Sequence, residues 1–267
     1  MKSNILINVE KEEYISDYRK AGVSAFLFAL EDFCVGYENT FSKEEVENIN
    51  VSKKFLLINR VLDCEAVDKL KKILINIKNI DGIIYEDIAV YNIVKDLNIN
   101  IELISFQNHF GTNVGSINFW LNRVNSVFVS NELSLEEIKN ILKNVNREVC
   151  LHIFGYNQIM YSRRLLLSNW SEEFNIPYKN KNILEEKATK MKFKVMENKY
   201  GTVFYSGKIF NGLELLKLEN VKYGYINTTG IEHEEIMKVL KTLTYDGECD
   251  NGFLEHETIY KLKERSK

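Results

Sequence analysis

Short apolar runs alternate with amphipathic segments along most of the chain, and this alternation limits the fold more than any other feature of the sequence. Runs this short suit strands covered on both faces, as in a parallel sheet. Ile5–Val9, Ala25–Ala29, Phe55–Ile58, Gly82–Tyr85, Ile101–Ile104, Ser126–Val129, Val149–Phe154 and Tyr225–Asn227 read as strands. Helices are expected at Lys11–Ala21 (stopped by Gly22), near Ser42–Asn50, at Cys64–Ile77, near Ile88–Leu97, at Gly115–Arg123, from Ser134 to about Val145, and at Glu234–Leu243. Ser134-Leu-Glu-Glu137 has the spacing of a capping box, in which the serine and the last glutamate satisfy each other's orphan amides.

Eight strands, mostly followed by helices, predict parallel pairing with right-handed crossovers. The expected architecture is an α/β fold of TIM type, a (β/α)8 barrel, regular or distorted, formed by residues 1–267 as a single domain. A doubly wound open sheet is the alternative, because periodicity does not separate the two; the strand count and the length of 267 residues favour the barrel. Residues 170–210 are polar and lysine-rich, with strand-like pieces at Phe193–Met196 and Thr202–Tyr205. They read as a small β-rich insertion between strands seven and eight, and the tail 246–267 is expected to pack back on the barrel.

Hydrophobic residues make up 45% of the chain, enough for a large core. The lone proline, Pro177, and thirteen glycines exclude collagen-like or linker composition. A net charge of −3 lacks the basic excess of a free-standing nucleic-acid binder, so any RNA contact would use a local patch. Cys34, Cys64, Cys150 and Cys249 lie far apart and form no C-x-x-C pair, which leaves zinc-ribbon and thioredoxin-type readings without local support. Scattered thiols suit a reducing cytosol, so a cytoplasmic location is expected. The opening MKSNILINVEKEEY is too short in apolar residues for a signal-peptide core. No apolar stretch approaches the ~18 residues of a membrane-spanning helix, so no membrane partner is expected.

Several motifs occur in a fixed order. They are Ser105-Phe-Gln107 with Gly111-Thr-Asn113, Val129-Ser-Asn-Glu-Leu-Ser134 with Glu137-Ile138, Gly155…Tyr161-Ser162…Arg164…Ser168, Tyr200-Gly-Thr-Val203, and Gly252-Phe253…Glu257-Thr-Ile-Tyr260-Lys261. In this order they resemble the collagenase-like peptidase U32 family. The departures bear on function: the family's signature glutamate falls at Cys150, its histidine at Phe154, its two cysteines at Gln158 and Leu165, its glycine at Arg163, and the arginine before Glu132 is Asn131. The chain is most similar to the short, cysteine-poor members that occur in pairs with a longer paralogue. The resemblance implies a role in tRNA wobble-uridine hydroxylation, which the family supports using prephenate, with a larger U32-family paralogue as partner. It does not by itself imply proteolysis.

Glu132 lies just past the sixth strand, where a carboxylate binds a substrate hydroxyl or acts as a base, or simply starts a helix. His152 shares a strand face with position 154, so it either partly replaces the missing imidazole one layer deeper or is a hydrogen-bonded interior histidine. Gln107 and Asn113 follow strand five and serve either a ligand or a turn and cap. Tyr161, Ser162, Arg164 and Ser168 follow strand seven; an arginine fork there suits a carboxylate or phosphate, or the loop is a solvated or partner-facing surface. Ser162 lacks a G-x-S-x-G elbow. Glu86 and Asp87 either bind a metal or begin a helix, and His233-Glu-Glu235 lacks the spacing of a zinc helix. The catalytic candidates are thus Glu132 and His152, the substrate-binding candidates Gln107, Asn113, Tyr161 and Arg164, and no metal or cofactor is expected.

Between Lys179 and Lys208, eight lysines face three glutamates, a surplus that either neutralises phosphates or is merely solvated. Trp170, Phe174, Tyr178 and Phe193 lie nearby as stacking surfaces or as a small core. Three functions compete: an accessory or partly degenerate subunit in tRNA hydroxylation with tRNA as a further partner, a collagenase-like hydrolase, and a non-catalytic scaffold.

Overall fold

The computed structural model describes residues 4–107 and 109–256. Along the chain run β1 (Ile5–Asn8), α1 (Ile15–Lys20), β2 (Ala25–Ala29), α2 (Lys43–Asn48), β3 (Lys54–Ile58), α3 (Cys64–Leu74), β4 (Gly82–Tyr85), α4 (Ile88–Asp96), β5 (Glu102–Ser105), α5 (Val114–Leu121), β6 (Ser126–Val127), α6 (Leu135–Asn144) and β7 (Val149–Gly155). Then follow β8 (Gln158–Ser162), α7 (Leu166–Glu173), β9 (Lys181–Glu185), β10 (Lys192–Asn198), β11 (Gly201–Ser206), β12 (Ile209–Asn211), β13 (Val221–Ile226), α8 (His233–Thr242) and β14 (Cys249–Asp250).

Ten of these strands form one curled, mostly parallel sheet in the order β14-β12-β7-β13-β1-β2-β3-β4-β5-β6. Strand alternation sorts its side chains onto two faces. Ile5, Ile7, Phe28, Leu56, Ile58 and Ile83 pack outward with helix residues such as Leu70, Ile93, Ile138 and Val239. Leu6, Leu27, Phe55, Leu57, Ile84, Ile104 and Tyr225 fill the concave side. The helices are fixed by local chemistry. Ser134 and Glu137 form the expected capping box on α6, and Ser42 and Glu45 form a second on α2. Asp63, Asp87 and Asn113 cap α3, α4 and α5 through their side-chain oxygens.

The expected closed (β/α)8 barrel is corrected by this topology. The ladder does not run round: β6 has only two residues and touches β7 at the isolated Phe128–Cys150 bridge, with Val129 N–H donating to the Cys150 carbonyl at 3.0 Å. The chain leaves the sheet there because Ser130 N–H donates to the Gly111 carbonyl (2.9 Å) in the loop after β5. Two short strands extend the opposite edge, and β12 pairs antiparallel with β7. Most of the lysine-rich region joins a second sheet between β7 and β13. A four-stranded antiparallel sheet, β8-β11-β10-β9, takes one strand from before α7, while β12 joins the main sheet. In the tail, β14 pairs with β12, Leu254 is buried, and its carbonyl accepts from Leu135 N–H at 3.0 Å. The motif residues Glu257–Lys261 lie outside the described residues. Among the described residues no helix is long and apolar enough to cross a membrane.

Candidate active site

Parallel strands bring their C-terminal ends to one end of the sheet, so the loops after β1 to β7 and β13 share a mouth. The antiparallel sheet lies across it, docked on the loop that follows β2. Tyr205 Oη donates to the Gly36 carbonyl (2.5 Å), Asn198 Nδ2 to the Cys34 carbonyl (2.9 Å), and Tyr200 Oη to Asp32 Oδ1 (2.5 Å). Lys181 pairs with Glu38 at 2.8 Å. Lys69 and Lys199 also bind Asp32, and these bonds with Tyr200 hold its carboxyl well below the usual carboxylate range.

Tyrosines plug the concave side beneath this cover. Tyr37 and Tyr225 share a hydroxyl–hydroxyl bond of 3.2 Å, and Phe106, Tyr205 and Tyr156 close round them. They leave a small, partly open cavity of about 20 Å³, room for a single water, lined also by Glu86, Asn131, His152, Gln158 and Asn227. Outside the plug lies a cleft of about 180 Å³ lined by Asn59, Arg60, Glu86, Asp87, Gln107, His109 and Gln158.

Glu86 borders both spaces. Its carboxyl has no hydrogen bond or ion pair with another described side chain, and burial pushes its pKa up to about 8. A carboxyl in this state holds its proton near neutrality and can give or take one at little cost, which suits general acid–base work. Asp87 beside it is a structural acid, accepting from Ala89 N–H (2.9 Å) and Leu62 N–H (2.8 Å). Arg60 does not neutralise Glu86; it donates to the Asp32 carbonyl (2.7 Å) and lies 3.9 Å over the Tyr200 ring.

The sequence-derived candidates fall into separate groups. His152 is buried on the plug, 5.5 Å from the Tyr225 ring centre, and its Nε2 lies 2.9 Å from the Phe154 carbonyl. Burial pushes its pKa down to about 4, against the smaller opposing effects of the Phe154 carbonyl and Asn157. A neutral imidazole donating to that carbonyl leaves Nδ1 as an acceptor. Gln107 lines the outer cleft and donates to the Glu86 carbonyl at 2.9 Å. Glu132 is exposed and meets His109 Nδ1 at 3.2 Å. Asn113 caps α5, accepting from Ser116 N–H at 2.9 Å. Tyr161 donates to the Tyr200 carbonyl (3.1 Å) within the covering sheet, and Arg164 is exposed with its carbonyl accepting from Thr202 Oγ1 (2.8 Å). Glu132 and Arg164 do not line a common cavity among those described, whereas Gln107 and His152 meet spaces that both touch Glu86.

Two functional features escaped the sequence reading. The environment of Glu86 is built by residues scattered along the chain, from Tyr37 to Asn227, so nothing local marks it. Glu197, in the lysine-rich region, is buried and accepts from Leu167 N–H (2.7 Å), Ser168 N–H (3.0 Å), Ser168 Oγ (2.6 Å) and Thr202 Oγ1 (2.6 Å). It thereby holds the Arg164–Ser168 segment, part of which was read as a ligand loop.

The sequence model of peptidase family U32 matches residues 14–222. The tRNA hydroxylation protein P2 of Bacillus subtilis (strain 168) is 23% identical over 218 residues, covering 75% of this chain and 70% of that protein. Among solved structures, the Bacillus cereus spore cortex-lytic enzyme SleL overlays 90% of this chain and 74% of its own at a TM-score of 0.38 and 9% identity. An overlay that loose carries neither fold nor activity across.

Proposed function

The chain belongs to peptidase family U32, and from that premise we propose that it serves tRNA hydroxylation at the wobble uridine as an accessory subunit beside a larger family paralogue. The observation that carries this reading is the similarity to the tRNA hydroxylation protein P2 over three-quarters of the chain. The absence of the family's cysteines at Gln158 and Leu165 supports the accessory role, because a cluster-bearing partner would then supply that chemistry. Within this reading the outer cleft is the reacting face. Glu86 moves a proton, Gln107 positions the ligand, and the His109–Glu132 pair guards the rim. The hydrolase reading has less to draw on: Ser162 Oγ accepts from Arg164 N–H at 3.1 Å, and among the described residues it donates to no base that would activate it.

Deleting the gene and digesting the tRNA to nucleosides tests the proposal. Hydroxylated wobble uridine should fall in the deletion strain and return on complementation. Unchanged nucleosides in a strain without a redundant paralogue would overturn it. A tagged copy should also retain the larger paralogue on purification.

A further inference from the structure

A larger cavity lies not over the plug but beside it, lined in part by β9 and β10. It measures about 460 Å³, within the range of small-ligand sites. Antiparallel register places Lys194 opposite Ile183 and Tyr205, and Met196 opposite Lys181 and Val203, so the face turned to the mouth mixes ammonium groups with apolar side chains. The facing wall comes from the loop ends after β2, β7 and β13: Glu38, Tyr156, Thr229 and Gly230.

Charge is unbalanced in this crevice. Lys181 is paired with Glu38, and Lys179 is exposed at the entrance. Lys194 is half-buried, donates to the Gly230 carbonyl (3.1 Å) and stands 3.6 Å over the Tyr156 ring, with no carboxylate in ion-pair contact among the described residues. Burial lowers its pKa, against the opposing charges of Glu38 and Glu235, neither of which touches it. The Tyr156 hydroxyl has no hydrogen-bond partner among the described residues. Lysine ammonium groups bind phosphate as point charges, with no need of an arginine fork.

We propose that this crevice binds the phosphate of a nucleotide, held by Lys194 and Lys179 with the apolar Ile183–Met196 face beside the attached nucleoside. The phosphate comes from a free nucleotide or from an RNA strand. The strand source rests on the function proposed above; the site does not.

Calorimetric titration of the full chain with inorganic phosphate, uridine 5′-monophosphate and a single-stranded oligouridylate tests this. Binding of the monophosphate and the oligomer is expected, with Lys194→Gln weakening both about tenfold and Lys194→Arg retaining most of it. For the oligomer, Lys194→Gln should also reduce the salt dependence by ~0.7 in logarithmic slope, one phosphate's share. Lys179→Gln, at an exposed side chain, should weaken binding in the same direction, and Lys187→Gln outside the crevice should not. Tighter binding of the oligomer than of the monophosphate assigns the strand; equal binding assigns the free nucleotide. No binding by either probe, or wild-type affinity in both Lys194→Gln and Lys179→Gln, overturns the site. The function fails separately, through unchanged tRNA nucleosides on deletion, with phosphate binding intact.

Discussion

Glu86 and His152 are both kept neutral by burial, from opposite sides of pH 7. A folded Glu86 titrating near 8 against 4.5 unfolded holds an extra proton between those values, so its contribution to stability falls as pH rises through that window. Glu86→Gln should therefore leave the urea midpoint nearly unchanged at about pH 5 and stabilise the fold by roughly 1–3 kcal/mol at about pH 9. Equal effects at both pH values would mean that the carboxyl is solvated. His152 has the reverse sign. Its folded value near 4 lies below the unfolded 6.5, so stability is lost as pH falls through that interval. In His152→Gln the midpoint should decline less between about pH 6.5 and about pH 4 than in the parent; a parallel decline would assign the acid loss to other groups. Of the two, His152 was visible in the sequence through strand alternation, and its interior placement is one of the two readings open there. Glu86 and Asp87 stood together as an acid pair, and only the fold separates the cap from the half-buried, desolvated acid.

At the scale of elements, Glu197 organises a helix it does not belong to. The cap position of α7, Leu165, offers no side-chain acceptor, so Thr202 Oγ1 takes the Leu166 amide (2.9 Å) and the Glu197 carboxylate takes the next two. Burial raises its pKa, but bonds from Ser168, Thr202 and the two amides outweigh that and hold it below the usual glutamate value. Glu197→Gln should cost about 2–3 kcal/mol and speed hydrogen exchange at the Leu167 and Ser168 amides; unchanged exchange there would dissociate the carboxylate from the helix start. Neither α7 nor β8 was legible beforehand. The strand Gln158–Ser162 is partly exposed throughout and lacks the apolar run that marked the central strands, and α7 lacks a local cap. The parallel strands and α6 were legible because burial on two faces and a capping box leave strong marks on the sequence.

For the whole molecule, strand count foretold the parallel order, but closure depends on backbone bonds that periodicity does not encode. Ser130 turning to the Gly111 carbonyl is one such bond. The two sheets are joined at Gly36, whose φ of +78° and contact with Tyr205 leave no room for a side chain; a Cβ would lie 2.4 Å from the Tyr205 hydroxyl oxygen. Gly36→Ala should loosen the antiparallel sheet as a unit, seen as new proteolytic cuts within residues 158–206 while the central strands stay protected, and Tyr205→Phe should do so more mildly, at about 1–3 kcal/mol for the stranded carbonyl. Uniform destabilisation without such cuts would show that the sheets unfold together. The lone bridge between Phe128 and Cys150 has a consequence for motion. The central strands β1 to β5 are joined by ladders of three or four residue pairs, whereas this seam holds one bridge, the Val129 N–H bond to the Cys150 carbonyl, and side-chain bonds such as Ser126 Oγ to the Glu148 carbonyl (3.0 Å). The seam beside Asn131 and Glu132 is therefore expected to part before the central strands, seen as faster amide hydrogen exchange at Val129 than at Leu56 or Ile84; equal exchange would show that the seam holds as firmly as the ladders.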